Sequence, residues 1–188
     1  ATKIRGVQAH GNKSDQGLAG QRLALNLQGV ENSQVNRGDV VAPRGLYKAT
    51  KKVDVQINYL HSAPRSLRHR STLRLHSATY EVAAKVILFD RECLEPGEST
   101  FAQLRLARPV LLLHGDPFVL RTASPSTTVG GGTILDPSPP NRRRRSIEAL
   151  ALLESMSFGD ESEILERLVS TSLLSGIAFT DLTRRTGL

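Results

Sequence analysis

Alternation of apolar and polar residues with period two runs through the chain to residue 135, then stops at a proline- and arginine-rich stretch, DPSPPNRRRR (136–145). In VDVQINYL (53–60) the alternation puts Val53, Val55, Ile57 and Tyr59 on one side, and in RLALNLQ (22–28) it does the same for Leu23, Leu25 and Leu27. KIRGVQAH (3–10) sets Ile4, Gly6 and Ala9 against Lys3, Arg5 and Gln8. A strand with one buried face produces this pattern, because successive side chains point to opposite sides of a sheet. TLRLHSATYEVAAKVILF (72–89) is long enough for two strands joined by a short turn between His76 and Thr79. TFAQLRLARPVLLL (100–113), PFVLRTA (117–123) and TVGGGTILDP (128–137) complete the set. Pro96-Gly97 marks a turn, and Pro109, with no N–H to donate, is expected at a strand edge or break. Many short strands with a turn signal about every ten residues predict an antiparallel barrel or sandwich.

The period changes after the linker. Ser146 is placed to cap a helix over IEALALLESM (147–156). In ESEILERLVSTS (161–172), Ile164, Leu165, Leu168 and Val169 form one helical stripe. TDLTRRTGL (180–188) predicts a third helix, capped at Thr180 and closed by Gly187. Three short helices suit a winged-helix or helix-turn-helix unit. The expected fold is therefore mainly β with a small α-helical segment, divided into residues 1–45, 46–138 and 139–188.

Charge narrows the partners. The chain of 188 residues carries a net charge of +7. The excess lies before residue 146, since the segment after the arginine run holds three Arg against seven Asp and Glu. Such a balance favours a polyanion, nucleic acid above all, although a solvated basic surface gives the same count. The single Cys93 has no partner for an intrachain disulfide and no companions for a thiolate metal site. The lone cysteine fits a reducing, cytoplasmic setting, and the longest aliphatic stretch, Val110 to Leu113, is far too short to span a bilayer, so no membrane partner is expected. Five histidines show no HExxH spacing, no GxSxG elbow is present, and no GxxxxGK[ST] loop can cradle a nucleotide. Gly130-Gly131-Gly132 lies inside a strand pattern with no helix behind it, which points to a bulge or a close backbone approach rather than an anion cradle. These residues carry no enzyme active site and no cofactor or metal site by this reading.

The stretch AGQRLALNLQGVENSQVNRGDVVA (19–42) resembles the closing half of the second domain of translational GTPases of the elongation factor Tu class. Ala19, Gly20, Arg22, Asn26, Leu27, Gly29, Val30, Arg37, Gly38, Asp39 and Ala42 carry the likeness. LRHRSTLRLHSATYEVAAKVILFD (67–90), LEPGESTFAQLRLARPVLLLHGDPFVLR (94–121) and SPSTTVGGGTILDP (124–137), followed by the arginine-rich linker, are similar to the third domain of the bacterial selenocysteine-specific elongation factor. The likeness covers about the first 145 residues well and the helices only weakly.

What the resemblance implies is a job. Residues 1–45 would be the C-terminal part of one translation-factor barrel, 46–138 a second, complete barrel, and 139–188 the start of a winged-helix array. Family members deliver selenocysteyl-tRNA to the ribosome, with GTP and magnesium held in a GTPase domain, and read an mRNA hairpin through terminal winged helices. Neither GTP hydrolysis nor hairpin reading is expected of these residues themselves. Arg37 would face the aminoacylated end of the tRNA, with Gln34 near the terminal base. Arg65, Arg68, His69, Arg70 and Arg74 would lie along the tRNA backbone, where arginines pair with phosphates without reading sequence. Arg142, Arg143, Arg144 and Arg145 would touch RNA or form a charged linker. A turn-edge Arg37 paired with Asp39, and a solvated face for the arginine cluster, are the structural alternatives. A structural arm of a general, elongation factor Tu-like GTPase is the alternative function.

Overall fold

The computed structural model describes residues 1–141, 145–172 and 176–188. They form two compact units, Ala1–Asp39 and Val40–Leu188.

In the first unit, β1 (Ile4–Ala9) is the centre of a three-stranded antiparallel sheet, flanked by β2 (Asn12–Ser14) and β3 (Leu23–Leu27). β1 and β2 are joined through His10 and Gly11, both with positive φ (51° and 82°), and Ala9 pairs with Asn12. Two positive φ angles give the turn a twist that matches the strands it joins. The sequence gives only a weak signal for this hairpin, because His-Gly is not among the usual turn pairs. A short 3-10 turn follows at Asn32–Gln34.

The second unit is built on a closed antiparallel barrel. Its strands are β4 (Thr50–Tyr59), β6 (Thr72–Ser77), β7 (Tyr80–Leu88), β9 (Ser99–Val110), β10 (Pro117–Arg121) and β11 (Thr128–Asp136), in the order β10-β11-β4-β9-β7-β6. Pairing of Leu120 with Leu75 and of Arg121 with Arg74 closes it. β5 (Leu67–Arg68) and β8 (Cys93–Leu94) form a separate two-stranded ladder. The expected turn between β6 and β7 lies at Ala78-Thr79, with Ala78 at φ 47°. The alternating positions predicted to face one side do so: Val53, Val55 and Ile57 are fully buried in the barrel interior with Leu75, Leu104 and Leu120. Each such side chain contributes about 1.5–3 kcal/mol of transfer free energy.

Closure depends on the three glycines of β11. A Cβ on Gly132 would lie 1.8 Å from the Gln56 carbonyl oxygen, one on Gly131 2.6 Å from that of Phe118, and one on Gly130 2.8 Å from that of Asn58. The neighbouring backbones of β4 and β10 leave no room for a side chain here. The glycine run is a close backbone approach, as its place inside a strand pattern predicts.

Three helices pack on the outside of the barrel. α1 (Ile147–Phe158) begins at Ser146, whose hydroxyl accepts from the Ala149 N–H at 3.2 Å. α2 (Glu161–Thr171) begins at Asp160, which accepts from the Glu163 N–H at 2.9 Å. α3 (Phe179–Thr186) ends at Gly187 with φ 78°, as expected, but its N-cap is Ala178 and not Thr180. The helix thus starts two residues earlier than the hydroxyl signal suggests, with no side-chain cap. Leu152, Leu153, Met156, Ile164 and Leu168 bury against Phe89 and Leu135, two residues on the outer face of the barrel. Leu135 therefore follows Ile134 with both buried, because this part of β11 is covered on both faces.

A buried ion pair anchors α3. Arg185 donates from Nη2 to Asp136 Oδ2 at 2.6 Å and from Nε to both carboxylate oxygens at 3.2 and 3.1 Å. The Arg185 side chain is 12% exposed and Asp136 not at all. Such a bidentate pair fixes orientation, and either partner left alone would be strongly destabilising.

A partly exposed polar cluster closes the other end of the β7–β9 region. Arg91 donates to Asp90 through Nε (3.1 Å to each oxygen) and Nη2 (2.9 Å), and to Glu98 through Nη1 (3.3 Å). Thr100 Oγ1 also donates to Asp90, at 3.1 Å. The hydrogen bond from Arg91, above all, holds the Asp90 carboxyl below the usual carboxylate range.

Two expectations follow. Alanine at Gly132, Gly131 and Gly130 should cost stability in that order, with about 3 kcal/mol at Gly132, read as a fall in the urea midpoint. Asp90 stabilises the fold above its unfolded pKa, and that contribution is lost as pH falls through its lowered folded value. Arg91→Gln should raise the Asp90 titration in a carboxyl NMR experiment. Its stability deficit at neutral pH should shrink once both forms of Asp90 are protonated.

Candidate functional site

In the first unit the chain turns tightly after the 3-10 segment. The Asp39 N–H donates to the Asn36 carbonyl at 3.0 Å, and Gly38 between them has φ 101°. This is the type II pattern, in which the third position needs a positive φ and so favours glycine. Arg37 occupies the tip and is exposed. The expected alternative, an ion pair with Asp39, is not what the turn shows. The Asp39 carboxylate instead accepts from the Asn36 N–H at 2.8 Å. Among the described residues the Arg37 side chain makes no hydrogen bond or ion pair. Gln34 is also exposed, but its Oε1 accepts from the Glu31 N–H at 2.9 Å, which ties the side chain to its own turn. Its amide N–H groups are what it can offer a ligand.

In the second unit Arg65, Arg68, His69 and Arg70 lie around β5, on a connection held at many points. Tyr59 donates its hydroxyl to the Arg65 carbonyl at 2.8 Å, and Ser66 donates to Glu95 at 2.6 Å. Arg68 pairs with Cys93 in the β5–β8 ladder. The His69 N–H donates to the Glu92 carbonyl and the Arg70 N–H to the Val86 carbonyl, both at 2.7 Å. Arg70 is held at φ 67°, an uncommon conformation for a side chain of this size. Arg65, Arg68 and Arg70 are exposed, and none forms an ion pair among the described residues. His69 is half-buried.

Arg74 differs from its neighbours. On β6 it reaches diagonally across β7 to Glu81, with Nη1 donating to Oε1 at 2.6 Å. Both side chains are about half exposed, so the pair contributes little stability but offsets the charge that Arg74 would present. Arg145 is exposed and its N–H donates to the Phe89 carbonyl at 3.0 Å. Arg142, Arg143 and Arg144 lie outside the described residues.

The register also gathers cations that the sequence reading did not single out. Lys52 on β4 stands opposite Arg105 on β9, and Arg105 stands opposite Lys85 on β7. The signal lay in the strand periods, since all three fall on positions facing away from the barrel interior. Their alignment depends on strand register, and a single sequence does not display that. Among the described residues no group of His, Cys, Asp and Glu could hold a metal ion, and no helix is long and apolar enough to cross a membrane.

Comparison with known proteins places this arrangement. Residues 50–141, the barrel and the start of the linker, match the family described as selenocysteine-specific elongation factor, beta-barrel domain. The selenocysteine-specific elongation factor of Desulfomicrobium baculatum is 39% identical over 155 residues, 81% of this chain and 24% of the relative. That of Escherichia coli is 30% identical over 156 residues, 82% of this chain and 24% of the relative. That of Haemophilus influenzae is 27% identical over 161 residues, 85% of this chain and 25% of the relative. The chain thus spans about a quarter of the length of these relatives. A crystal structure of a bacterial selenocysteine-specific elongation factor superposes with a TM-score of 0.74 at 19% identity, over 100% of this chain and 28% of that one, a likeness of fold. Through the barrel of residues 50–141, the chain belongs to the selenocysteine-specific elongation factor family.

Proposed function

We propose that residues 1–188 are a tRNA-handling part of a factor that delivers selenocysteyl-tRNA to the ribosome in the cytoplasm. The observation that carries this reading is the loop at β5, where Arg65, Arg68 and Arg70 stand exposed and, among the described residues, without ion pairs, on a backbone held by several hydrogen bonds. Guanidinium groups held ready in this way suit phosphate oxygens, which they can meet in bidentate fashion with little side-chain ordering left to do. The match of the barrel to the selenocysteine-specific elongation factor family supports a selenocysteine tRNA as that RNA.

The chain itself performs no chemistry in this reading. GTP and its magnesium ion bind a domain outside residues 1–188, and an mRNA hairpin is read by winged helices beyond α3. Arg37 faces the aminoacyl end of the tRNA. A selenol is more acidic than a thiol, so the selenocysteyl side chain is an anion near neutral pH, and an unpaired guanidinium at a turn tip stabilises it more than the corresponding cysteine or serine. Gln34 supports the same turn. The other reading, a rigid arm of a general elongation factor, draws on the buried Arg185–Asp136 pair, which fixes the helices to the barrel.

Binding of the chain to tRNA separates the two. Arg68→Gln combined with Arg70→Gln should weaken binding of a selenocysteine tRNA transcript at least about tenfold, the equivalent of about 1.4 kcal/mol, at unchanged thermal midpoint. An arm that makes few contacts predicts unchanged binding. In the presence of the GTP-binding domain, Arg37→Ala should weaken selenocysteyl-tRNA more than cysteinyl-tRNA, and equal weakening would count against the selenolate pairing.

A further inference from the structure

The cationic row on the barrel is built against local stability. Lys52, Arg105 and Lys85 are directly opposed on three consecutive strands, and like charges so placed repel. No carboxylate pairs with any of them among the described residues. Lys52 Nζ donates to a neutral partner, Asn141 Oδ1, at 2.8 Å. Beyond Lys85 the next register position is Thr72 on β6, two residues from both Arg70 and Arg74. The row therefore begins beside the arginine loop of β5 and crosses β7 and β9 to β4.

It ends in a cavity. β4 and β9 pair at Lys52↔Arg105 and next at Thr50↔Val110, so Leu106–Pro109 of β9 stand against Lys51 alone. Pro109 has no N–H to contribute to a ladder, and the strands part. The space left is about 590 Å³ and is lined by Lys48, Lys51, Lys52 and Arg105, with Ser138 and Asn141 as neutral hydrogen-bonding groups. Among the described residues its apolar lining is Ala49 and Leu106, with no aromatic side chain. A protein partner would need a buried aromatic or aliphatic anchor, and this surface offers it no pocket of that kind. A polyanion recognised through its charge needs none.

We infer that this row and cavity are the path of an RNA sugar-phosphate backbone, which enters at the β5 arginine loop, crosses the outer face over Lys85 and Arg105, and ends among Lys48, Lys51 and Lys52. From β6 to β4 the path spans three strand spacings, about 14 Å, the axial rise of about four phosphates of one strand. The inference rests on the reading of the chain as an RNA-handling module and adds the direction and length of its contact.

The test compares wild-type chain with a Lys52→Gln, Lys85→Gln, Arg105→Gln triple variant, using a selenocysteine tRNA transcript, an unrelated RNA duplex and a polyglutamate peptide as probes. Each phosphate contact adds about 0.9 to the slope of log affinity against log salt. The variant should lose about 2 to 3 from that slope with tRNA. It should also melt at or above the wild-type temperature, because the opposed charges are gone. Lys85→Gln alone, at the exposed end of the row nearest the β5 loop, should lose about 1, and it serves if the triple variant does not fold. An unchanged slope in a wild type that binds tRNA overturns the path and leaves the proposed function standing. A slope lost equally for tRNA and duplex supports the path and counts against tRNA selectivity. Tighter binding of polyglutamate than of either RNA, or no RNA binding by the wild type, overturns the path.

Discussion

The glycine run of β11 is the constraint on which the rest of this structure depends. Because Gly130, Gly131 and Gly132 carry no side chains, β11 can lie against the carbonyls of β4 and β10 at distances no Cβ would tolerate. β11 then joins those two strands, and the sheet closes through β10 and β6. Closure removes the free edges that an open sheet of this length would present. It also fixes the outward positions of six strands at once. The arginine loop, the opposed cations and the cavity all inherit their geometry from it.

Closure also settles what the helices can do. With the interior filled by aliphatic side chains, α1, α2 and α3 pack on the outside, over Phe89 and Leu135. The Arg185–Asp136 pair holds the last of them, at the end of the same strand that carries the glycines. Polar contacts such as Ser157 to Gln56, at 3.1 Å, fill in between. Arg185 offsets much of the cost of burying Asp136, which also accepts from the Ser138 N–H at 3.0 Å, so the pair specifies one docking geometry more than it adds stability. One stretch of barrel surface is thereby given to the helices, and the β6–β7–β9 stretch with its cations is left open.

Much of the fold is legible in the sequence because burial alternates with the strand period. Val53, Val55 and Ile57 announce their own side, and the helix start at Ser146 follows from a hydroxyl ahead of a 3.6-residue pattern. The α3 start is not legible, because Ala178 caps it without any side-chain bond. In the candidate site, the cations of residues 65–74 are visible as a cluster in the chain. That Arg74 is paired with Glu81, while among the described residues Arg68 and Arg70 form no ion pair, depends on which strand lies beside β6. The Lys52–Arg105–Lys85 row is invisible for the same reason, since its members are 33 and 20 residues apart in the chain and meet only through register.

If the closed barrel meets tRNA through the cations of β5, β7 and β9, amide shifts of the isotopically labelled chain, titrated with a selenocysteine tRNA transcript, will register the contact. The perturbed amides should cluster at residues 65–74 and along the outer face of β7 and β9, while the interior and α1 to α3 keep their positions. Perturbations confined to the helices, or a spectrum unchanged at saturating tRNA, would contradict it.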